Sequence, residues 1–387
     1  MRRICWWQPV LTAHQSHTVR ALSEARRAPV RIVCSAASIS VRDAQGWTDG
    51  AEAAGLPIEQ LPARRWVDRI LEVLDEERES IHVFGSPFER SKQNLALALA
   101  LAKRRMSFLV SEPYSPVAVG YLADAAPWKE RLKVVLRPKL YSSYGWLMRR
   151  RLSGVFAISP LAETQYGRMG IAAKRIFPFG YFVPLPSQQN GVADTIEGRP
   201  LRIAYLGSGI QRKGVDVLLR AMGSPQVRDT GSTLTLFGRD FTSRTVQRER
   251  WLNCGGALPF GQVFGALSQF DIVIVPSLYD GWAVVVNEAI GAGVPVVASD
   301  MVGAGALLEP WRCGLRYGAL DSASLARIIV DLSADRTRLA AMRANTAPLA
   351  ACLQPEVAGR YMAECIDSVE RGVSAPLPPW QAGERSQ

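Results

Sequence analysis

The sequence predicts an α/β protein with two Rossmann-like, doubly wound domains that face a cleft. Short apolar runs suited to buried parallel strands alternate with helical stretches in both halves of the 387-residue chain. Between the halves, residues 184–200 are poor in large apolar side chains and rich in Pro, Gly and polar residues, as in a linker. We therefore expect an N-terminal domain over 1–183, a C-terminal domain over 201–372 and a loose Pro-rich tail over 373–387.

The elements follow from the apolar periodicity. In the first half we expect strands at 4–10, 30–35, 81–85, 107–110 and 154–158, and helices at 16–27, 66–79, 88–105 and 161–169. In the second half we expect strands at 201–206, 233–237, 272–275 and 295–298, and helices at 215–222, 262–270, 284–291, 322–332 and 335–346. A final amphipathic helix is expected over 356–369. This helix packs either on the second domain or back on the first. Open parallel sheets bind ligands at the carboxyl ends of their strands, so sites are expected in the strand-to-helix turns.

The composition argues against a metal centre or a disulfide framework. Six cysteines are scattered without a CxxC pair, only three histidines occur, and no Asp-x-Asp triplet is present. We therefore expect no metal, no cofactor and thiols kept in a reducing compartment. The first residues break at Pro9 without a signal-peptide cleavage site, and no apolar run is long enough to cross a bilayer. A cytoplasmic protein is expected.

The formal net charge of +11 favours an anionic partner. Residues 129–151 concentrate this charge, with eight basic residues against one acidic residue, and aromatic side chains are interleaved at Trp128, Tyr141, Tyr144 and Trp146. Such a segment suits an anionic membrane surface, here the inner membrane face, and it is equally typical of a solvated helix pair. Nucleic acid fits less well, because no reader motif accompanies the charge.

The first candidate turn follows the strand at 201–206. A Gly-bearing loop there carries Arg212 and Lys213 before a helix, and free backbone N–H groups with two cations suit a diphosphate. The alternative is a dinucleotide fingerprint, since Gly207-Ser208-Gly209 resembles its start. The third glycine is replaced by Arg212, and no acidic residue lies at the expected distance. A diphosphate site is favoured over both this alternative and a surface Arg–Lys pair.

The second candidate turn follows the strand at 272–275. Gly281 lets the backbone approach a ligand, and a helix that begins near Trp282 or Ala283 turns its first N–H groups to the cleft. Glu288 lies about two turns in on the same side, where a carboxylate can accept two ribose hydroxyls. Asp280 would accept sugar hydroxyls. In the alternative interpretation, Asp280 is an N-cap and Glu288 lies on a solvated helix face. That alternative does not explain why so apolar a helix contains one Glu.

These residues carry a family resemblance. The C-terminal half resembles the retaining glycosyltransferases of family 4, also called group 1, which have the two-Rossmann GT-B fold. Their signature is an acidic residue, seven others, a Glu and then Ala-x-x-x-Gly-x-Pro-Val, and it is matched by Asp280, Glu288, Ala289, Gly293, Pro295 and Val296. The Lys213-Gly214 pair also matches the family. The resemblance covers 201 to about 332, and the first half matches in layout and in a strand-like stretch at 174–184.

The resemblance implies retaining, metal-independent transfer of a sugar from a UDP- or GDP-type donor to a glycan or lipid-linked acceptor in bacterial polysaccharide or lipopolysaccharide assembly. Lys213 would hold the diphosphate, Glu288 the ribose and Asp280 the donor sugar, and the base would sit near Gly238 and the loop at 257–261. The implied donor-binding set is Gly207, Ser208, Gly209, Arg212, Lys213, Gly238, Phe260, Asp280, Gly281, Trp282, Ala283, Val284 and Glu288.

Two residues of the first half complete the expected site. His14 follows the first strand and is expected to contact the acceptor or the donor, or to handle protons, which adds it to the catalytic set of Lys213, Asp280 and Glu288. A structural role for His14 is the alternative. Glu112 also ends a strand and is the other acceptor-site candidate.

Two departures from the family pattern motivate further alternatives. Ser208 stands where the family often has Arg, and Ala283 stands where it often has Gly, which would tighten the sugar pocket. A non-catalytic glycosyltransferase-like partner subunit is therefore one alternative. A nucleotide-sugar epimerase of the same fold is another, although the few histidines disfavour it.

Overall fold

The computed structural model describes residues 2–36, 55–88, 91–119, 127–186, 199–241, 249–259 and 261–381. The chain forms two compact units. The first contains Met1–Tyr114, Val135–Pro184 and Gln354–Pro379, and the second contains Ser115–Val134, Leu185–Leu353 and Trp380–Gln387. Each unit is built on its own parallel sheet.

The first unit has a seven-stranded sheet in the order β3-β2-β1-β4-β5-β6-β7. The strands are β1 Ile4–Gln8, β2 Val30–Cys34, β3 Ile58–Gln60, β4 Ile81–Phe84, β5 Ser107–Ser111, β6 Gly154–Ile158 and β7 Ile176–Phe179. The central strands β1, β4, β5 and β6 are buried along their whole length, which is why the sequence reveals them as continuous apolar runs. The short, half-buried β3 was not predicted.

The helices of the first half lie between these strands. They are α1 Ala13–Arg26, α2 Trp66–Glu76, α3 Lys92–Ala102, α4 Pro127–Met148 and α5 Pro160–Arg168. The basic segment forms the single 22-residue helix α4 with Pro138 inside it, so its interpretation as a helix pair is wrong. Among the described residues, no helix combines the length and apolar character that crossing a bilayer requires.

The buried core of the first sheet contains a neutral histidine. The Trp7 indole donates a hydrogen bond to Nδ1 of His82 at 3.1 Å, so Nε2 carries the proton and faces the Glu77 carbonyl at 3.1 Å. Burial lowers the pKa of His82 to about 4. This histidine is therefore a structural residue of the core.

The last long helix belongs to the first unit. Helix α13, Pro355–Arg371, packs on α1, and a Cβ on Gly359 would lie 2.5 Å from the carbonyl carbon of Ala21. The buried Arg26 pairs with Asp367 at 2.6 Å and with Glu370 at 3.3 Å. Close backbone packing and the two ion pairs of a buried arginine thus fix this helix in the first unit.

The second unit has a six-stranded parallel sheet in the order β10-β9-β8-β11-β12-β13. Its strands are β8 Arg202–Leu206, β9 Thr233–Phe237, β10 Leu252–Gly256, β11 Ile272–Val275, β12 Val296–Ser299 and β13 Gly314–Tyr317. Its helices are α6 Val215–Met222, α7 Pro225–Arg228, α8 Val263–Leu267, α9 Val284–Gly291, α10 Ser322–Ala334, α11 Arg336–Ala344 and α12 Thr346–Cys352. The pairs β8–β9 and β8–β11 place β8 at the centre, so its carboxyl end is flanked by two other strand ends.

The tail is packed in part. Trp380 lies in the segment that the sequence predicts to be loose, yet it is 2% exposed, and its carbonyl accepts a hydrogen bond from the Trp311 indole at 2.7 Å. This contact attaches the tail to the second unit.

Candidate functional site

The carboxyl ends of β8 and β9 approach each other through glycines. Gly207 donates its N–H to the Phe237 carbonyl at 3.0 Å, and a Cβ on Gly238 would lie 2.1 Å from the Gly207 carbonyl oxygen. Only a residue without a side chain fits at Gly238. These two predicted donor-site glycines therefore lie side by side at one edge of the sheet.

The loop after β8 is held by two polar contacts. The Tyr205 hydroxyl donates to the Ser208 carbonyl at 2.7 Å, and Oδ2 of Asp240 accepts the N–H of Gly209 at 2.7 Å. Sequence reasoning missed Asp240. The only signal for it is its position three residues beyond the end of β9.

The turn after β8 is tied to the turn after β11. Arg212 is buried, its Nη1 donates to the Tyr279 carbonyl at 2.7 Å, and its own carbonyl accepts the Leu278 N–H at 2.8 Å. Gly214 has φ +66°, and a Cβ there would lie 2.0 Å from the Pro276 carbonyl oxygen. The structure thus shows Arg212 bracing the second turn, and its contact with a donor phosphate stays a prediction.

Lys213 and Asp280 form an ion pair at this junction. Nζ of Lys213 lies 2.5 Å from Oδ2 of Asp280, and the two side chains are 23% and 13% exposed. Burial would raise the pKa of Asp280, but the Lys213 and Arg212 cations and the Trp282 N–H hold it below its ordinary value. Asp280 is therefore an anion at neutral pH, facing the cation predicted to hold the diphosphate.

A third loop supports the second turn. The Asp280 N–H bonds the Met301 carbonyl at 3.0 Å, the Gly303 N–H bonds the Asp280 carbonyl at 3.0 Å, and the Ala304 N–H bonds the Trp282 carbonyl at 2.9 Å. The Trp282 indole donates to Oδ1 of Asn287 at 2.9 Å inside the protein. These bonds orient the backbone at Asp280 and Trp282, while the tryptophan side chain itself is buried.

Helix α9 begins four residues after Asp280. Its N-cap is Ala283, which adopts the left-handed conformation at φ 74°, ψ 84°, and its first helical residue is Val284. Asp280 is consequently not the N-cap, and that alternative is wrong. The alanine side chain cannot accept hydrogen bonds from the first N–H groups of the helix. The backbone N–H groups of Val284 and the next residue can therefore donate to another acceptor. The neighbouring Gly281 is buried in the turn.

Glu288 occupies the middle of α9. It is half-buried, and this burial raises its pKa to about 7. A carboxyl with such a pKa changes between hydrogen-bond donor and acceptor near neutrality. Glu288 and Asn287 are thus the two polar residues of a mainly apolar helix.

The predicted site residues of the first half belong to the first unit. His14 lies in the first turn of α1 in the first unit, where its Nε2 is 3.1 Å from the Thr12 hydroxyl and its ring meets Tyr181 edge-on at 4.4 Å. Glu112 follows β5 in the same unit, and its carbonyl accepts a bond from Ser111 at 2.9 Å. Phe260 lies outside the described residues. Within the ranges that the structure describes, no cluster of His, Cys, Asp and Glu forms a metal site.

The two parallel sheets with their strand-end site define a protein of the GT-B glycosyltransferase architecture, and the fold class predicted from the sequence is confirmed. Residues 200–335 match the family model described as glycosyl transferases group 1. The matched region contains the whole cluster from Gly207 to Glu288. The group 1 resemblance of this segment is thereby confirmed.

Individual proteins resemble the chain at lower identity. A glycogen synthase of Mycobacterium tuberculosis is 28% identical over 230 residues, which are 56% of this chain and 51% of that protein, so the chain spans about half the length of this curated relative. The structure of Anabaena HepE in complex with UDP superposes with a TM-score of 0.67 at 17% identity, covering 95% of this chain and 100% of that one. The apo lipopolysaccharide outer core galactosyltransferase WaaB gives a TM-score of 0.67 at 13% identity, covering 95% and 99%.

Proposed function

We propose that this protein is a glycosyltransferase that moves a sugar from a nucleotide-diphosphate sugar to an acceptor hydroxyl. The observation that carries this proposal is the Lys213–Asp280 pair at the junction of two strand-end turns, beside the uncapped start of α9. One cation and a set of backbone N–H groups suit a diphosphate, and a neighbouring carboxylate suits sugar hydroxyls. The match of residues 200–335 to the group 1 family model supports this assignment.

Donor binding exchanges the partner of Lys213. In the structure its ammonium is neutralised by Asp280. An arriving diphosphate offers more negative charge, so Lys213 moves to the phosphate and Asp280 becomes available to the hydroxyls of the donor sugar. Glu288, in its ionised form, accepts the ribose hydroxyls. The N–H groups at Ala283 and Val284 face the phosphate or the sugar.

Leaving-group stabilisation is the main catalytic contribution of these residues. As the bond between the sugar and the diphosphate breaks, negative charge builds up on the phosphate oxygens, where Lys213 and the start of α9 are fixed in advance. The transfer is proposed to proceed with retention and without a metal ion. His14 and Glu112, in the first unit, are proposed to contact the acceptor.

The donor is proposed to carry UDP or GDP. Anabaena HepE has been solved with UDP and with UDP-glucose, which supports a uridine donor for this chain as the first one to test. The likeness to WaaB supports an acceptor in bacterial lipopolysaccharide or polysaccharide assembly. Such an acceptor is a glycan or a lipid-linked glycan, and the proposed place of reaction is the cytoplasm.

A donor screen tests the proposal. Purified protein is incubated with UDP- and GDP-sugars and candidate acceptors, and mass spectrometry records glycosylated product and any epimerised donor. Lys213→Ala and Glu288→Ala should each nearly abolish transfer, whereas Arg220→Ala, an exposed residue of α6, should retain it. Wild-type turnover by either variant would contradict the assignment, and epimerised donor without transfer would favour an epimerase.

A further inference from the structure

Helix α4 carries an unusual share of the exposed apolar surface. Among the described residues, thirteen large apolar side chains are exposed, and the eight that lie on α4 are Trp128, Leu132, Val135, Leu136, Leu140, Tyr144, Trp146 and Leu147. Trp128, Trp146 and Leu147 are each at least 64% exposed. An apolar patch of this kind on a single helix marks an interaction surface.

One face of α4 packs against the protein at the C-terminal end of the helix. Tyr141 and Met148 are 8% and 7% exposed, and Gly145 lies so close to the chain at Met169 that a Cβ would be 2.2 Å from its carbonyl oxygen. These packed positions recur every three to four residues and form one stripe over the last two turns of the helix, whereas no described side chain of 128–140 is buried. At about 100° per residue, Leu132, Leu136 and Trp146 project to the side away from that stripe. The apolar face therefore points outward.

Basic residues border the outward face. Arg131 and Lys133 lie on its two sides, Lys139 lies within it, and Arg149 and Arg150 follow the last turn, all of them exposed. Over residues 127–151 the sequence contains one acidic residue, Glu130. A partner for this face must offer both an apolar interior and negative charge.

Trp128 and Trp146 mark the two ends of the face. They are 18 residues apart, which is about 27 Å along a helix. Indole rings prefer the boundary between hydrocarbon and water, where the ring is buried and its N–H stays solvated. A face with tryptophan at both ends and basic borders fits a helix that lies flat in a membrane interface.

We propose that α4 docks this protein on a bilayer of anionic phospholipid, with the helix axis parallel to the membrane plane. The outward apolar side chains enter the boundary between headgroups and acyl chains, and the bordering Lys and Arg side chains contact lipid phosphates. This proposal does not depend on the proposed glycosyl transfer, since it concerns binding alone.

Vesicle flotation tests the docking. Full-length protein should float with vesicles of phosphatidylglycerol and phosphatidylcholine at low salt, and it should float poorly with phosphatidylcholine alone. Leu136→Gln combined with Leu147→Gln should weaken partitioning at least about tenfold, since two large apolar side chains no longer enter the lipid. The matched control is Leu320→Gln combined with Leu377→Gln, two leucines of equal exposure at 63%, and it should partition like wild type.

The charged border is tested separately. Arg131→Gln combined with Lys133→Gln should weaken partitioning roughly fivefold or more per residue at low salt, and the difference should shrink at high salt. The control, Arg327→Gln with Arg338→Gln, removes two exposed arginines elsewhere. Circular dichroism of each variant shows whether it is folded.

Brominated phospholipid gives a second readout of docking, because it quenches the fluorescence of tryptophans that enter the lipid. This quenching should fall in Trp146→Phe, which keeps an apolar ring.

Three results would overturn the proposal. The first is the absence of flotation with anionic vesicles at low salt. The second is an equal loss of partitioning in the α4 variants and their controls. The third is a wild-type dimer, detected by sedimentation, that the Leu136 and Leu147 substitutions dissociate while vesicle binding persists, since α4 would then be covered by a second copy of the chain. None of these measurements contains a sugar donor, so failure here leaves the proposed activity standing.

Discussion

The ammonium of Lys213 lies 2.5 Å from Oδ2 of Asp280, although 67 residues separate the two in sequence. The pair joins the turn after β8 to the turn after β11, and the Arg212 bond to the Tyr279 carbonyl ties the same two turns beside it. In the proposed enzyme Asp280 holds the phosphate-binding cation in place until a donor arrives. The carboxylate and the diphosphate therefore compete for one ammonium.

Removal of the competing carboxylate should separate donor binding from transfer. In Asp280→Asn, Lys213 no longer has an anionic partner, so we expect UDP or GDP to bind about three- to tenfold more tightly, the range of a partly exposed ion pair. Transfer should nevertheless fall by about a hundredfold, because the sugar hydroxyls lose a charged acceptor. Calorimetric titration and turnover measurements check the two effects. Weaker nucleotide binding by this variant would refute the competition.

The close approach at Gly214 should make this glycine irreplaceable. Gly214→Ala combines an unfavourable φ of +66° with a Cβ 2.0 Å from the Pro276 carbonyl oxygen, and we expect a loss of about 3 kcal/mol or more in unfolding free energy. Gly256 is the matched control, with φ +69° and open space around its Cβ, so Gly256→Ala should lose only about 1–2 kcal/mol. Urea denaturation measures both. Equal losses would show that the contact with Pro276 contributes nothing.

Ala283 holds a backbone conformation that favours glycine. Its φ of 74° offers a conformational reason for the family's glycine at this position, in addition to the tighter sugar pocket expected from the sequence. Ala283→Gly should leave stability unchanged or raise it by up to about 1 kcal/mol, because relief of strain offsets the extra freedom of the unfolded chain. In the exposed interior of α11, Ala340→Gly should instead cost about 1 kcal/mol. Thermal melts compare the two, and a clear loss in Ala283→Gly would contradict this account.

The raised pKa of Glu288 should make stability depend on pH. Burial raises this pKa from 4.5 to about 7, so between these values the folded protein keeps a proton that the unfolded chain has released. The contribution of Glu288 to stability is thus present below about pH 4 and is lost as pH rises through 7. Glu288→Gln does not titrate, and its stability relative to wild type should rise by about 3 kcal/mol from pH 4.5 to pH 8.

Urea denaturation at the two pH values measures this change. The control Asp331→Asn makes the same carboxyl-to-amide change at an exposed position of α10. A difference between wild type and Glu288→Gln that stays constant with pH would show that Glu288 has an ordinary pKa. The same titration bears on function, since ribose hydroxyls are accepted by the ionised form, so nucleotide affinity attributable to Glu288 should rise through pH 7.

The central strands of both sheets could be predicted because burial on both faces leaves continuous apolar runs. Strands β8, β9, β11 and β12 lie within one residue of the expected bounds. The edge strands β10 and β13 were missed. Only one side of an edge strand is paired, and their side chains are largely exposed or half-buried, which removes the apolar signal.

The sequence indicates the two turns of the candidate site but not how their side chains pair. The motif places Lys213 and Asp280 in turns that follow strands and Glu288 in the helix after the second turn, and parallel-sheet geometry then brings the two turns together. The ion pair of Lys213, the bracing role of Arg212 and the contact of Asp240 with Gly209 depend on side-chain directions in the folded protein. No local pattern in one sequence encodes them.

Calorimetric titration of UDP and GDP into wild type, Lys213→Ala and Arg220→Ala tests the central claim most directly. The account predicts that wild type and Arg220→Ala bind at least one of these nucleotides with equal affinity, and that Lys213→Ala loses about tenfold or more, as expected for a charge-assisted contact to phosphate. Binding of neither nucleotide by wild type, or equal affinity in Lys213→Ala, would contradict a diphosphate site at the junction of the β8 and β11 turns.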